Sequence, residues 1–561
     1  MRVELELDLD LHDIQGNIVK AYGRYGYPMA RYFFFRIRKS AGTREFVERV
    51  APLITTAAQR DLPAVTTNIG FTYEGLKRLG VPDETLHGFL DAFSMGMKAR
   101  RSIVGDTGPN YFTNWDPIWN GTVNADSGHG DSANRDGTIY DQHTHIFMSI
   151  NGRLVPPSDP ARETETFPAR WKQMEDNIEE HFQKILAIAD VAKVDGKVSV
   201  ELMRGHRGDH GDDRYQLAIA LPDGKEHFGY TDGISSTYFK GSGDDPNRVV
   251  GGGKPNGGNP ATAEGWDPIE TGEFLLGHKD EAFEYPKAPG PPLFARNGTY
   301  LVYRKLHQNV DSFNRYLKDI GSTFPEGREA FAAKLAGRWR NGAPLVSFPT
   351  EAEANAFATE LDDLQKKSRG GESMTDQERS RYKGLKQQLR GFDYTDDVTG
   401  ARCPFGSHLR RANPRSALEF GEKDAFNEPG SLSNRRRILR RGLPYGKSDS
   451  ASADDGDHGI IIMLLNANIS RQFEFVQQQW FNFGNDFKAA NDQDPILGNH
   501  GTNKDGRGNG RMVIEGDKAT GKPPFFCSAM PTLVETRGGD YYFVPSMTSL
   551  RMIGQGIVDS T

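Results

Sequence analysis

A chain of 561 residues with 69 Lys and Arg against 76 Asp and Glu, net charge −7 at pH 7, lacks the basic excess that favours nucleic acid or an anionic membrane surface. It is 36% hydrophobic and holds only two cysteines, Cys403 and Cys527, which excludes a disulfide-framed scaffold. No apolar run is long enough to span a bilayer. A length this far beyond one ordinary core calls for two or more domains.

The opening stretch, MRVELELDLDLHD, is acidic and alternating, without the basic and apolar regions of a signal peptide, so a soluble cytoplasmic protein is expected. Strand patterns flanked by turn residues fall at Ala30–Ile37, Ala64–Phe71, His145–Ile150, Arg214–Leu221, Thr299–Lys305, Gly459–Leu465 and Asp540–Pro545. Helical patterns lie between them, at Gly42–Ala51, Thr72–Leu79, Trp171–Ile188, Asn309–Leu317, Gly327–Leu335 and Ile469–Trp480. This interleaving predicts α+β or α/β layers rather than an all-β barrel. A polar shift over 190–213 divides the chain into an expected domain 1–205 and a second, 206–561. The second carries insertions at about 241–270 and 351–392. Residues 351–392 read as two solvated helices around a Gly-Gly turn, with Leu361, Leu364, Leu385 and Leu389 as a thin seam. A subunit contact is the alternative use of that seam.

Several motifs fail on inspection. Gly516–Lys522 has the first seven positions of a phosphate-binding loop, but Pro523 stands where a hydroxyl is needed. His143 and His145 share one strand face, and His206 and His210 are four apart beside glycines. No third ligand gathers around either pair, so structural or solvated histidines are expected. The arginines at 435, 436, 437, 440 and 441 form the densest cationic run. A solvated face is the simplest reading, because the interleaved aromatics of a strand-binding surface are missing.

Three segments concentrate ionisable groups among Gly and Pro. Phe228–Ser235 sets Asp232 just before Gly233, which suits either a plain Asp-Gly turn or a carboxylate aimed into a cavity. Cys403–Arg415 holds one histidine, His408, among bases that disfavour its protonation; a core histidine or an iron ligand would fit. Arg437–Gly446 contains the end of the arginine run.

Together these segments resemble the dye-decolourising peroxidase family. GYTDG at Gly229–Gly233 looks like its GxxDG signature, 408–415 its histidine segment and 437–446 its arginine segment. Asp13–Asn17, Gly272–Gly277, Arg296–Leu306, Arg471–Gln477 and Arg537–Ser546 also fit, in order, from about residue 10 to about 555. The length and insertions are similar to the longer bacterial and fungal members.

The resemblance implies an α+β fold of two ferredoxin-like domains, antiparallel sheets with flanking helices, and one haem b held mainly in the second. It makes His408 the iron ligand, Asp232 the acid–base residue and Arg440 the distal arginine, with Arg441 its alternative if the match slips by one. Asn413, Gly233 and Ile234 would lie against the haem, and Arg410 with neighbouring bases would meet its propionates. The implied activity is hydrogen-peroxide-dependent oxidation of dyes, phenols or other bulky one-electron donors. Heterolytic O–O cleavage needs a proton moved from one peroxide oxygen to the other and a cation facing the oxygen that leaves. An aspartate, with its ordinary pKa of about 3.9, predicts an acid-shifted optimum. Asn466–Ser470, where a carboxylate partner for the histidine is expected, contains no acid. Trp480 is a candidate electron relay or a core residue. A haem-handling protein without turnover and a scaffold with a vestigial site are the competing classes. No nucleic-acid or membrane partner is expected, and both monomer and dimer stay open.

Overall fold

The computed structural model describes residues 9–59, 61–120, 144–155, 166–208, 210–243, 248–369, 373–419, 430–447 and 453–558. Among these, nine strands form one sheet: β1 (Met29–Ile37), β2 (Val65–Phe71), β3 (Ile146–Gly152), β4 (Val200–Leu202), β5 (Gln216–Ile219), β6 (Thr299–Gln308), β7 (Leu439–Tyr445), β8 (Gly459–Asn466) and β9 (Val534–Val544). Their order is β7-β8-β6-β9-β2-β3-β1-β4, with β5 also paired to β1. Every pairing in this order is antiparallel. The early and late strands join where β9 meets β2, Phe543 opposite Phe71.

The strand patterns legible in the sequence become strands because they are covered on both faces. β1 is buried along almost its whole length. Phe33 meets Phe182 on one face, at 5.0 Å between ring centroids. On the other, Phe34 packs edge-on to Trp119 and Tyr303 at 4.8 and 5.3 Å.

The principal helices are α1 (Ser40–Val50), α2 (Phe167–Val191), α3 (Val310–Asp319), α4 (Arg328–Ala336), α5 (Glu351–Arg369), α6 (Asp376–Gln388), α7 (His408–Ala412) and α8 (Met547–Gln555). The Thr166 hydroxyl caps α2 by accepting from Ala169 N, and the helix buries Met174, Ile178, Phe182 and Ile185 on one stripe. The charged insert forms α5 and α6 as expected. A Thr375–Glu378 capping box starts α6, and Arg381–Glu360 and Lys367–Glu378 pairs bridge the two helices. No helix of the described residues is long and apolar enough to cross a membrane.

Two segments differ from expectation. Leu439–Tyr445, conspicuous only for its arginines, is strand β7, with Leu439, Arg441 and Leu443 buried and Arg440 and Gly442 exposed. Ile469–Trp480 winds with π-helical turns at Ser470–Glu474 and Val476–Phe481, a local widening frequent at functional sites. The arginine run is no solvated face either. Arg435 pairs with Asp280, Arg436 donates to the Arg471 carbonyl, and Arg437 to the Gly252 and Gly253 carbonyls. Of the histidines noted above, His143 lies outside the described residues, and His145 Nδ1 accepts from Ile37 N at 2.8 Å. His206 stacks on Phe34, and His210 Nε2 contacts the Tyr215 carbonyl at 3.2 Å. The loop at Gly516–Lys522 is a turn closed by reciprocal Asp517–Lys522 backbone bonds.

Candidate active site

A cavity of about 640 Å³ lies against β6, β7 and β8, within the range of sites for small organic groups. Leu306, Ile460, Ile462 and Leu464 give it an apolar wall. The loop bearing Asp232, helix α7 and the segment 476–499 supply further walls.

Strand geometry sorts the two adjacent arginines. Successive side chains on β7 point to opposite faces. Arg440, across from Leu464 in the ladder, reaches Asp232: Nη2 lies 2.6 Å from Oδ1. Arg441 turns inward and donates to the Asn17 and Ile18 carbonyls at 2.6 and 2.7 Å. Of these two arginines, Arg440 is the one that contacts Asp232.

Asp232 sits at the end of a short hairpin whose backbone needs glycine. Gly229 and Gly233 adopt φ of 89° and 67°, left-handed values that side chains resist. A Cβ on Gly229 would also come within 2.8 Å of Arg340 Nη1. Gly233 and Ile234 line the cavity directly after the aspartate.

On another wall, His408 opens α7 and stacks on Phe481 at 5.6 Å. Its Nδ1 lies 3.0 and 3.2 Å from the two oxygens of Asp494, a carboxylate with no exposed surface. Oδ1 of Asp494 also accepts from the backbone N–H groups of Ile496 and Leu497. Burial alone would raise the Asp494 pKa, but His408, Arg411 and the Leu497 amide outweigh it and hold the group below its ordinary value. A carboxylate only accepts, so Nδ1 is the donor of this contact, and in the neutral ring that leaves the lone pair on Nε2. Arg411, fully buried, donates to the carbonyls of Gly406, Trp480, Phe483 and Asp492. It thereby ties the segment leading to Asp494 onto α7.

The remaining expected residues divide. Asn413 lines the cavity, its Oδ1 buried without a hydrogen-bond partner among the described residues. Arg410 is not among the lining residues: its guanidinium is committed to the Asp397 carboxylate and to the Asp397 and Cys403 carbonyls. Other arginines that line the cavity include Arg338, Arg415 and Arg437. Each donates to backbone carbonyls, and none pairs with a carboxylate among the described residues. Burial pushes Arg338 down to about 9, Arg437 to about 9 and Arg415 to about 10, and the Arg415 charge adds to the shift on the other two. Trp480 is 2% exposed, wedged between Phe475 and Phe487, with Nε1 donating to Asp486 at 2.9 Å.

Sequence reasoning missed Asp494 and this arginine trio. Arg415 was within reach as one of the bases near His408. Asp494 was not, because 86 residues separate it from the histidine it holds.

A family model described as the DyP dimeric alpha+beta barrel domain matches residues 13–130. The dye-decolorizing peroxidase msp1 of Mycetinis scorodonius is 25% identical over 97% of this chain and 88% of its own length. The multifunctional dye peroxidase DyP2 of an Amycolatopsis strain is 29% identical over 60% of this chain and 62% of its own. The solved structure of an ancestral D-type dye decolorizing peroxidase superposes with a TM-score of 0.67 at 26% identity, covering 97% of this chain and 99% of the other. These likenesses extend along nearly the whole fold, and the chain is similar to dye-decolourising peroxidases over almost its entire length.

Proposed function

We propose that the chain is a haem peroxidase that uses hydrogen peroxide to oxidise dyes, phenols and other bulky one-electron donors. The observation that carries this reading is one cavity lined by a carboxylate and guanidinium in contact, Asp232 and Arg440, and by an imidazole held at Nδ1 by a buried acid.

The donor set fits haem b. His408 offers Nε2 as the one lone-pair nitrogen of an oriented imidazole, the form in which histidine binds metal. Among the described residues Arg338, Arg415 and Arg437 have no carboxylate partner, and the Arg415 Nε is buried without a hydrogen-bond partner. They suit the two carboxylates at one edge of a porphyrin. Leu306, Ile460, Ile462 and Leu464 suit its apolar face, and Asn413, Gly233 and Ile234, which also line the cavity, would complete the contact. When bound, haem supplies the redox centre that passes electrons singly from donor to peroxide.

The protein supplies the proton path and the field. Asp232 takes the proton from the nearer peroxide oxygen and returns it to the farther one as the O–O bond breaks, a step worth about 10²–10⁴ in rate. Arg440 stabilises the negative charge on the departing oxygen. Asp494 fixes the ring of His408. Over a full cycle one peroxide takes two electrons and two protons to give two waters, and two donor molecules each lose one electron.

The test is the absorption spectrum of haem-loaded protein before and after one equivalent of peroxide. The wild-type Soret band changes at once, and Asp232→Asn and Arg440→Leu slow that change about 10²-fold or more. Absence of a Soret band, or equal rates in all three proteins, refutes the reading.

A further inference from the structure

Asp232 reaches the cavity on a hairpin held shut by a second carboxylate. Lys225 and Thr231 bridge in antiparallel fashion, Glu226 N donates to the Tyr230 carbonyl at 3.0 Å, and Asp232 N donates to the Gly224 carbonyl at 2.9 Å. Inside this turn the Glu226 side chain folds back. Its Oε2 accepts from Phe228 N and its Oε1 from Tyr230 N, both at 2.9 Å. Oε2 also accepts from Nε2 of Gln308, on β6. One carboxylate therefore satisfies two amides at the hairpin tip and fastens the tip to the sheet that floors the cavity. The outer side is tied more weakly, by Tyr230 Oη to the Ala332 carbonyl and by Thr231 N and Oγ1 to the Arg340 carbonyl.

We propose that Glu226 is a positioning residue that holds the Asp232 carboxylate in register with Arg440. This rests on the reading of Asp232 as the acid–base group. The physical reason is the pair of hinges at Gly229 and Gly233, both in the left-handed region that only glycine enters freely. A loop so hinged keeps one conformation only if something inside it is bonded firmly, and a buried carboxyl that accepts through both oxygens supplies that bond. Both oxygens are needed. A glutamine keeps one acceptor and turns an NH₂ toward the second amide, so Glu226→Gln frees the tip while preserving volume.

The experiment compares wild type, Glu226→Gln, Gln308→Leu and Asp232→Asn as haem-loaded enzymes. Three quantities are read: the bimolecular rate constant for peroxide from the Soret change, the KM for a dye donor, and amide exchange in the peptide spanning 224–233. Glu226→Gln is expected to lower the peroxide rate constant about 10- to 100-fold, the usual cost of a catalytic group displaced by about an ångström. The donor KM and the resting Soret position stay unchanged, and exchange speeds up in 224–233 alone. Gln308→Leu, which removes only the tether to β6, gives a smaller loss in the same direction and decides the matter should Glu226→Gln fail to fold. If Glu226→Gln reacts within about twofold of wild type while Asp232→Asn does not, the positioning role is wrong and the assignment of Asp232 stands. If Asp232→Asn also reacts normally, the functional reading itself falls. A slower reaction without faster exchange in 224–233 overturns the inference too.

Discussion

Replacing Asp494 by asparagine tests the His408 side of the cavity with the least change in shape. The carboxylate accepts from His408 Nδ1, Ile496 N and Leu497 N, and it has no exposed surface. An asparagine cannot accept in every direction. If its oxygen stays on the two amides, its NH₂ faces the Nδ1 proton, donor against donor. The imidazole must then rotate or take the other tautomer, which puts the proton on Nε2 and removes the lone pair from the cavity. If the amide flips to serve His408, two buried N–H groups lose their acceptor. A hydrogen bond to a charged group contributes about 1.5–3 kcal/mol, and loss of a carboxylate behind a metal-binding histidine weakens metal affinity about 10- to 100-fold. At about 1.4 kcal/mol per factor of ten, the two figures agree. The assay is titration of haem-free protein with haem, followed at the Soret band, together with the rate of haem loss to an excess of scavenger protein. Asp494→Asn should bind haem about 10- to 100-fold more weakly and show a shifted band. Wild-type affinity with an unshifted band would show that Asp494 does not orient the ligand.

Three further outcomes follow from the framework around the cavity. Asp106→Ala leaves Arg304, 4% exposed and doubly bonded to that carboxylate at 2.6 and 2.7 Å, as an unpaired buried charge. It should destabilise the fold by about 3–5 kcal/mol in chemical denaturation, and a loss near zero would mean Arg304 finds another partner. Phe34→Ala removes the ring between Trp119, Tyr303 and Tyr542; a loss of about 3–5 kcal/mol is expected, measured the same way. Glu515, which accepts from Phe405 N beside the His408 segment, is pushed by burial from its ordinary 4.5 up to about 7. Between those values the folded protein holds a proton the unfolded chain has released, so stability falls as pH rises through that window. Melting temperatures across the window should decline less steeply for Glu515→Gln, and parallel curves would show that the group does not titrate there.

The residue pattern alone located most elements, because burial on both faces writes a plain signal: MARYFFFRI is short, aromatic-rich and preceded by a Gly-Tyr-Pro turn, which favours a covered strand. It failed at β7, where two adjacent arginines masked the strand. Their aliphatic stems and five donors let one be buried against carbonyls while the next faces the cavity, so charge says little about burial there. Short-range chemistry was legible too. The hairpin of Asp232 is spelled by glycines at positions that need positive φ, and His408 stands alone in a segment dense with bases.

What the linear order could not contain is which of those groups meet. Whether Arg440 or Arg441 faces Asp232 depends on which side of β7 the cavity lies, a property of sheet packing. Arg410 and Arg415 are chemically alike and five residues apart, yet one is spent on Asp397 and the other lines the cavity. Asp494 reaches His408 across a segment that Arg411 fastens by its carbonyls. Residue types and local conformations are set by neighbours along the chain. Partnerships across the cavity are set by hydrogen bonds and buried area between elements far apart in sequence, and these exist only once the chain has folded.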